Sequence, residues 1–267
     1  MTAVIPVDDP ADPRLADFAG LRRRDDSNGP VIAEGALVVR RLLASPYRMR
    51  AVLVTERGLR ALAGDLAAGG IGAPVYLAPQ PLVEAVCGYR FHRGALASAD
   101  RAAPLDPAAL LACRHSFVLG IEGVNDHENL GSLFRNAAAF GVGAVLLDPT
   151  TADPLYRRSV RVSMGHVLRL PFARVTAWAA LSDAGHEVIA LTPAPDADDL
   201  AGVPPVAPGG RPRAVVVGSE GRGLSAATLA AADRRVRIPL AAGVDSLNVA
   251  TAAALALHHL APGPGRR

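Results

Sequence analysis

The sequence predicts an α/β fold: a mostly parallel sheet over residues 114–267, preceded by a smaller α/β unit over residues 29–98. Three observations predict it. Short apolar strand candidates alternate with stretches of helical spacing, the order that parallel sheets require. Glycines and prolines cluster at the junctions. Half of the 267 residues are hydrophobic and only 4% are aromatic, so a sizeable core must be filled by Ala, Val and Leu.

Residues 1–28 are charged and proline-rich, with the run RRRDD at Arg22 to Asp26, and read as an N-terminal extension. Val31 to Glu34 is a short apolar strand. Gly35 to Leu43 has helical spacing, with Leu37, Val38, Leu42 and Leu43 on one side. Arg50 to Val54 alternates as a strand, Arg57 to Leu66 is helical, and Gly69, Gly70 and Gly72 stop it. Val75 to Leu77 and Pro81 to Val86 repeat the strand–helix pair. Residues 99–113 read as a linker.

The second series supplies strands at Phe117 to Ile121, Ala144 to Leu147, Glu187 to Leu191, Ala214 to Val217 and Val236 to Ile238. Helices are expected at Leu130 to Phe140, Trp178 to Ala184, Ser225 to Ala231 and Ser246 to Leu260. A ligand of such a sheet belongs at the carboxyl ends of its strands. Thr192 to Pro212 reads as a surface loop near that edge, and the tail PGPGRR as disordered.

Composition excludes several chemistries. All 28 fixed side-chain cations are arginines, and without lysine neither a Walker-A phosphate loop nor a Schiff base can be built. Arginine forks remain available for phosphate. A net charge of +3 is too small to establish nucleic-acid binding by itself. No apolar run approaches the ~18 residues of a membrane span. The opening residues lack the pattern of a signal peptide. Cys87 and Cys113 lie far apart and form no metal or redox motif, so a reducing cytoplasm is expected.

Three segments carry candidate chemistry. Asn125 to Gly141 follows a strand, with Asn129 expected to cap the helix near Leu130 and Arg135 further along it. Val215 to Ser225 is a buried strand followed by Gly218, Gly221 and Gly223, with Glu220 inside the glycine loop. The spacing is not that of a dinucleotide fingerprint. Ile238 to Leu260 contains Ser246, Leu247 and Asn248 where a helix starts. His127 reads as a loop residue. His258 and His259 lack i, i+4 ligand spacing, so no metal is expected. Arg157, Arg158 and Arg161 recur at helical spacing and face either RNA phosphate or solvent.

In this order the segments resemble the SpoU (TrmH-like) branch of the SPOUT RNA 2′-O-ribose methyltransferases. Asn129, Gly131 and Arg135 match its first motif. Gly218, Glu220, Gly221 and Gly223 match the second. Ile238, Pro239, Ser246, Leu247 and Asn248 match the third. The resemblance spans Ser116 to Leu260. Upstream, the pattern is similar to the N-terminal substrate-binding domain of thiostrepton-resistance-type enzymes. The resemblance implies a C-terminal trefoil knot, a homodimer, and S-adenosylmethionine bound by Thr192, Gly218, Glu220, Gly223, Ile238, Leu247 and Asn248. It implies catalysis by Asn129, Arg135, Glu220, Ser246 and Asn248 on RNA, with rRNA preferred to tRNA. A guanidinium keeps its proton at physiological pH, so Arg135 is read as a phosphate clamp rather than as the base. Glu220 would fix the loop or Arg135. The alternatives are a non-catalytic RNA-binding protein, a knotted methyltransferase acting on a base nitrogen, and a Rossmann-type oxidoreductase, which the missing fingerprint disfavours.

Overall fold

The computed structural model describes residues 3–23, 29–113, 115–207 and 209–261. The end of the RRRDD run and the PGPGRR tail lie outside them. The chain forms two compact units, Met1–Ala103 with Asp153–Arg169, and Pro104–Ala152 with Leu170–Arg267.

The first unit contains β1 (Val4–Pro6), a 3-10 helix (Pro13–Phe18), β2 (Val31–Glu34), α1 (Ala36–Leu43), β3 (Met49–Val54), α2 (Glu56–Ala61), α3 (Ala63–Ala67), β4 (Val75–Leu77), α4 (Gln80–Cys87) and β5 (Ala95–Ala99). Its sheet runs β1-β4-β3-β5-β2, with β5 antiparallel to both neighbours. Two boundaries differ from the sequence reading. The expected N-terminal extension supplies an edge strand to this sheet, and Leu15, Phe18 and Leu21 are fully buried in its core. β5, whose end was read as the start of a linker, lies between β3 and β2. Its sequence ALASA is buried at every position. It therefore shows no alternation, and its small side chains have weak strand preference. The predicted helix Arg57 to Leu66 is divided at Leu62, which ends α2 and opens α3.

The same unit takes α7 (Arg157–Val162), which the sequence reading left inside the parallel-sheet region. Arg157 is largely buried and turned into this unit. Its guanidinium stacks 5.3 Å from the Tyr89 ring centroid, donates to the Leu21 carbonyl at 2.9 Å and faces the buried Glu34 carboxylate at 4.0 Å.

The second unit contains α5 (Pro107–Ala112), β6 (Phe117–Glu122), α6 (His127–Ala139), β7 (Ala144–Leu147), β8 (Phe172–Arg174), α8 (Ala179–Asp183), β9 (Glu187–Leu191), β10 (Asp198–Asp199), β11 (Arg213–Gly218), α9 (Ala226–Ala231), β12 (Arg234–Arg237) and α10 (Val249–Leu260). The sheet order is β10-β12-β9-β11-β6-β7-β8, and every pairing is parallel. Val118, Leu146, Val188, Ala214 and Val216 fill one core with Trp178 and Leu181. The expected linker is corrected here too: α5 buries Leu110 and Leu111 in that core. The loop expected over Thr192 to Pro212 carries β10 and a 3-10 turn (Leu200–Gly202), which buries Ala197, Leu200, Val203 and Val206. His259 reaches the Val203 carbonyl at 2.8 Å, and His258 packs edge-on against Phe140. No described helix is long and apolar enough to cross a membrane.

Two histidines sit at the amino ends of the strands, away from the ligand edge. His186 is fully buried and its Nε2 donates to the His115 carbonyl at 3.0 Å. Burial pushes both imidazoles below their ordinary value of 6.5, and for His115 the neighbouring His186 adds to the effect. The unfolded chain then takes up protons that the folded chain refuses. Their stabilisation is present above pH 6.5 and is lost as pH falls below it. We expect the urea midpoint to drop between pH 7 and pH 5, and to drop less in a His186→Gln variant.

Candidate active site

The ends of β12, β9 and β11 lie side by side, which brings Ile238, Thr192 and Gly218 to one edge of the sheet. The Thr192 N–H donates to the Val236 carbonyl at 2.9 Å, so Thr192 is held by the neighbouring strand. After Gly218 the chain turns back sharply. Gly221 and Gly223 have φ of +91° and +66°, and the Gly223 N–H donates to the Ser219 carbonyl at 2.9 Å. A Cβ on Gly218 would stand 2.3 Å from the Gly223 carbonyl carbon, so only glycine admits this fold of the loop.

Glu220, near the loop tip, meets the start of α10. Its Oε1 accepts from Asn248 Nδ2 at 2.7 Å and from the Val249 N–H at 3.3 Å. Asn248 Nδ2 also donates to Asn129 Oδ1 at 2.8 Å, while Asn248 Oδ1 accepts the N–H groups of Ala250 and Thr251. One carboxamide therefore caps a helix and joins the three candidate segments. At the second residue of α10, Asn136 Nδ2 donates to the Ala250 carbonyl at 2.8 Å, fastening α6 along α10.

The capping assignments change accordingly. Asp126, not Asn129, caps α6, accepting from Glu128 and Asn129 N–H at 2.8 Å each. This frees the Asn129 side chain for Asn248. His127 is the first residue of that helix rather than a loop residue. α10 begins at Val249, three residues later than expected, because Asn248 is its cap. Ser246 is exposed with no side-chain hydrogen bond among the described residues, and Leu247 and Ile238 are half-buried. Arg135 is exposed and, among the described residues, has no ion-pair or hydrogen-bond partner. Glu220 thus holds the loop to α10 and does not hold Arg135.

Two acids at the same edge escaped the sequence reading. Glu122 closes β6, one residue beyond the apolar run that marked the strand, and accepts from Ser225, Thr228 and Trp178. Asp148 follows β7 and accepts from the N–H groups of Gly123, Thr150 and Thr151 and from both threonine hydroxyls. Burial acts to raise the Asp148 carboxyl, but these bonds outweigh it and hold it below the usual range. Arg174 ties down the same turn through the carbonyls of Asp148, Thr151 and Ala152. The edge so built combines a glycine-shaped backbone loop with exposed amide and carboxylate groups; Arg135, six residues beyond Asn129 on α6, is not joined to this cluster among the described residues. The edge suits a polar ligand carrying hydroxyl groups.

Comparison with known proteins assigns the edge to a family. The model of the SpoU rRNA Methylase family matches residues 116–258, which include every residue of the cluster. The chain belongs to that family. An uncharacterized tRNA/rRNA methyltransferase of Mycobacterium tuberculosis is 47% identical over 273 residues, spanning 96% of this chain and 93% of the relative. A solved RNA 2′-O ribose methyltransferase is 28% identical with a TM-score of 0.71, covering 96% of this chain and 97% of the other. An AdoMet-bound rRNA methyltransferase from Sinorhizobium meliloti shares the fold at 24% identity, with a TM-score of 0.76 and coverage of 96% and 97%.

In this SpoU-family chain, Asn248 has a capping atom and a bridging atom, and substitutions separate them. Asn248→Ala removes both and should cost about 1 kcal/mol of stability. Asn248→Ser keeps a capping oxygen without the Nδ2 bridge. Chemical denaturation should show most of the stability restored, while methyl transfer stays impaired; equal recovery of both would mean that the amide only caps.

Proposed function

We propose that this SpoU-family RNA methyltransferase uses S-adenosylmethionine as methyl donor and a ribose 2′-hydroxyl as acceptor, on rRNA in preference to tRNA. The observation that carries the reading is the single hydrogen-bonded cluster of Asn129, Glu220 and Asn248 beside three adjacent strand ends.

The residues fit the donor. Backbone at Thr192, Gly218 and Ile238 lines the edge, Gly218 and Gly223 leave it open to close approach, and Leu247 offers a half-buried apolar surface. The exposed Glu220 carboxylate complements a positive ligand. When bound, S-adenosylmethionine supplies a methyl carbon on a sulfonium leaving group. The protein then has to place the hydroxyl in line and stabilise its oxygen as the proton passes to solvent water. Asn129, Ser246 and Asn248 orient the ribose, and Glu220 keeps Asn248 in place. Arg135, exposed and without an ion-pair or hydrogen-bond partner among the described residues, clamps a substrate phosphate and favours the ionised 2′-oxygen. Charge-assisted contact with phosphate is what a free guanidinium does best.

The remaining parts of the reading follow the family. The first unit binds RNA. By the same family reading, the C-terminal part of the second unit forms a trefoil knot. A homodimer in the cytoplasm completes the picture.

The test uses purified protein, labelled S-adenosylmethionine, and separate unmodified rRNA and tRNA, followed by alkaline digestion. Label in dinucleotides that resist alkali, from the rRNA fraction, is the expected result. Label released as mononucleotides would move the target to a base, and absence of donor binding would favour a non-catalytic RNA-binding protein. Arg135→Ala should bind the donor normally and lose about 100-fold or more in turnover; full activity would remove Arg135 from the chemistry.

A further inference from the structure

The loop that carries Glu220 is held from beneath by one carboxylate. Glu122 closes β6 directly opposite Gly218, the residue where the loop leaves β11. Its Oε1 accepts the Ser225 N–H, at the far end of the loop, at 2.7 Å. Its Oε2 accepts the Trp178 indole N–H at 2.9 Å and the Thr228 hydroxyl. That hydroxyl also lies 2.8 Å from Ser225 Oγ. Trp178, the chain's one tryptophan, is seated against Gly120, where an added Cβ would come within 2.8 Å of the ring. The indole is thereby fixed before it donates.

Three donors converging on two oxygens require an anion. A glutamine in the same place would offer one acceptor and would turn an NH2 group toward another donor. Burial acts to raise the Glu122 carboxyl, yet the bonds from Thr228, Ser225 and Trp178 outweigh it and hold it below the usual range. With Gly218 in register beside Glu122 and Ser225 on its carboxylate, both feet of the loop rest on β6, and residues between them project to α10.

We propose that Glu122 is the positioning residue of this loop, setting the reach of Glu220 and the aim of the Gly218–Gly223 backbone toward S-adenosylmethionine. The proposal rests on the reading of the loop as the donor's binding site. Glu122 touches no reacting atom and acts through Ser225 and Thr228.

The test is a calorimetric titration of wild type and Glu122→Gln with S-adenosylmethionine, paired with steady-state methyl transfer. Loss of a charge-assisted contact should raise Kd and the donor KM about tenfold or more, with kcat at saturation changed far less. A group that merely supported the fold would lower Tm and the active fraction, reducing apparent kcat while the folded molecules kept their Kd; that result overturns the proposal. Thr228→Val removes one donor at constant shape, and should raise Kd a few-fold. If Glu122→Gln does not fold, an unchanged Kd in folded Thr228→Val overturns the proposal instead. Wild type that binds no S-adenosylmethionine overturns the reading of the loop, and the proposal with it. Normal wild-type binding with unaltered variants overturns the part assigned to Glu122 alone.

Discussion

The carboxamide of Asn248 is used at both of its ends, and the ligand edge depends on that double use. A helix starts with four N–H groups that its own ladder cannot satisfy. In α10, Asn248 Oδ1 takes those of Ala250 and Thr251, and Glu220 takes that of Val249. The other end of the same amide then has its direction set by the cap, and it points at Asn129 and Glu220. A carboxylate beside the N–H groups of a helix start is also where the helix dipole favours one. The polar groups that would orient a substrate are thus placed by the rule that terminates a helix.

Around this point the sheet supplies the rigidity. All seven strands of the second unit are parallel, so their carboxyl ends share one edge and every connection must cross to the opposite end and return. Glu122 and Asp148 absorb the N–H and O–H groups of the turns at that edge. The Gly218–Gly223 loop therefore needs little apolar anchoring near its tip, and its exposed groups remain available.

Much of this was legible before the structure. The strands at Val31–Glu34, Val75–Leu77, Ala144–Leu147 and Glu187–Leu191 have the bounds read from their apolar runs. The three motif segments meet in space as their order suggested. What was not legible has physical causes. β5 hides because small residues buried on both sides give neither alternation nor bulk. Leu15, Phe18 and Leu21 are spread among prolines and charges, where no local period links them to a core. Asn129 looked like a cap because any Asn before an apolar stretch does. Only the position of Asp126, three residues earlier, decides which of them caps the helix. Glu122 was invisible because its partners at positions 178, 225 and 228 are distant in sequence.

The placing of α7 bears on how the molecule can be inherited. The chain leaves the parallel sheet after β7, contributes Asp153–Arg169 to the first unit and comes back at β8. Arg157 sits there against Glu34, Tyr89 and the Leu21 carbonyl. A single break near residue 103 would divide the two units in sequence but strip the first of this helix, leaving Glu34 with Arg93 as its ion-pair partner among the described residues. The units are not beads that recombination can exchange with one cut. A gene fusion or shuffled module that carries the N-terminal sheet elsewhere has to carry the interrupted segment with it.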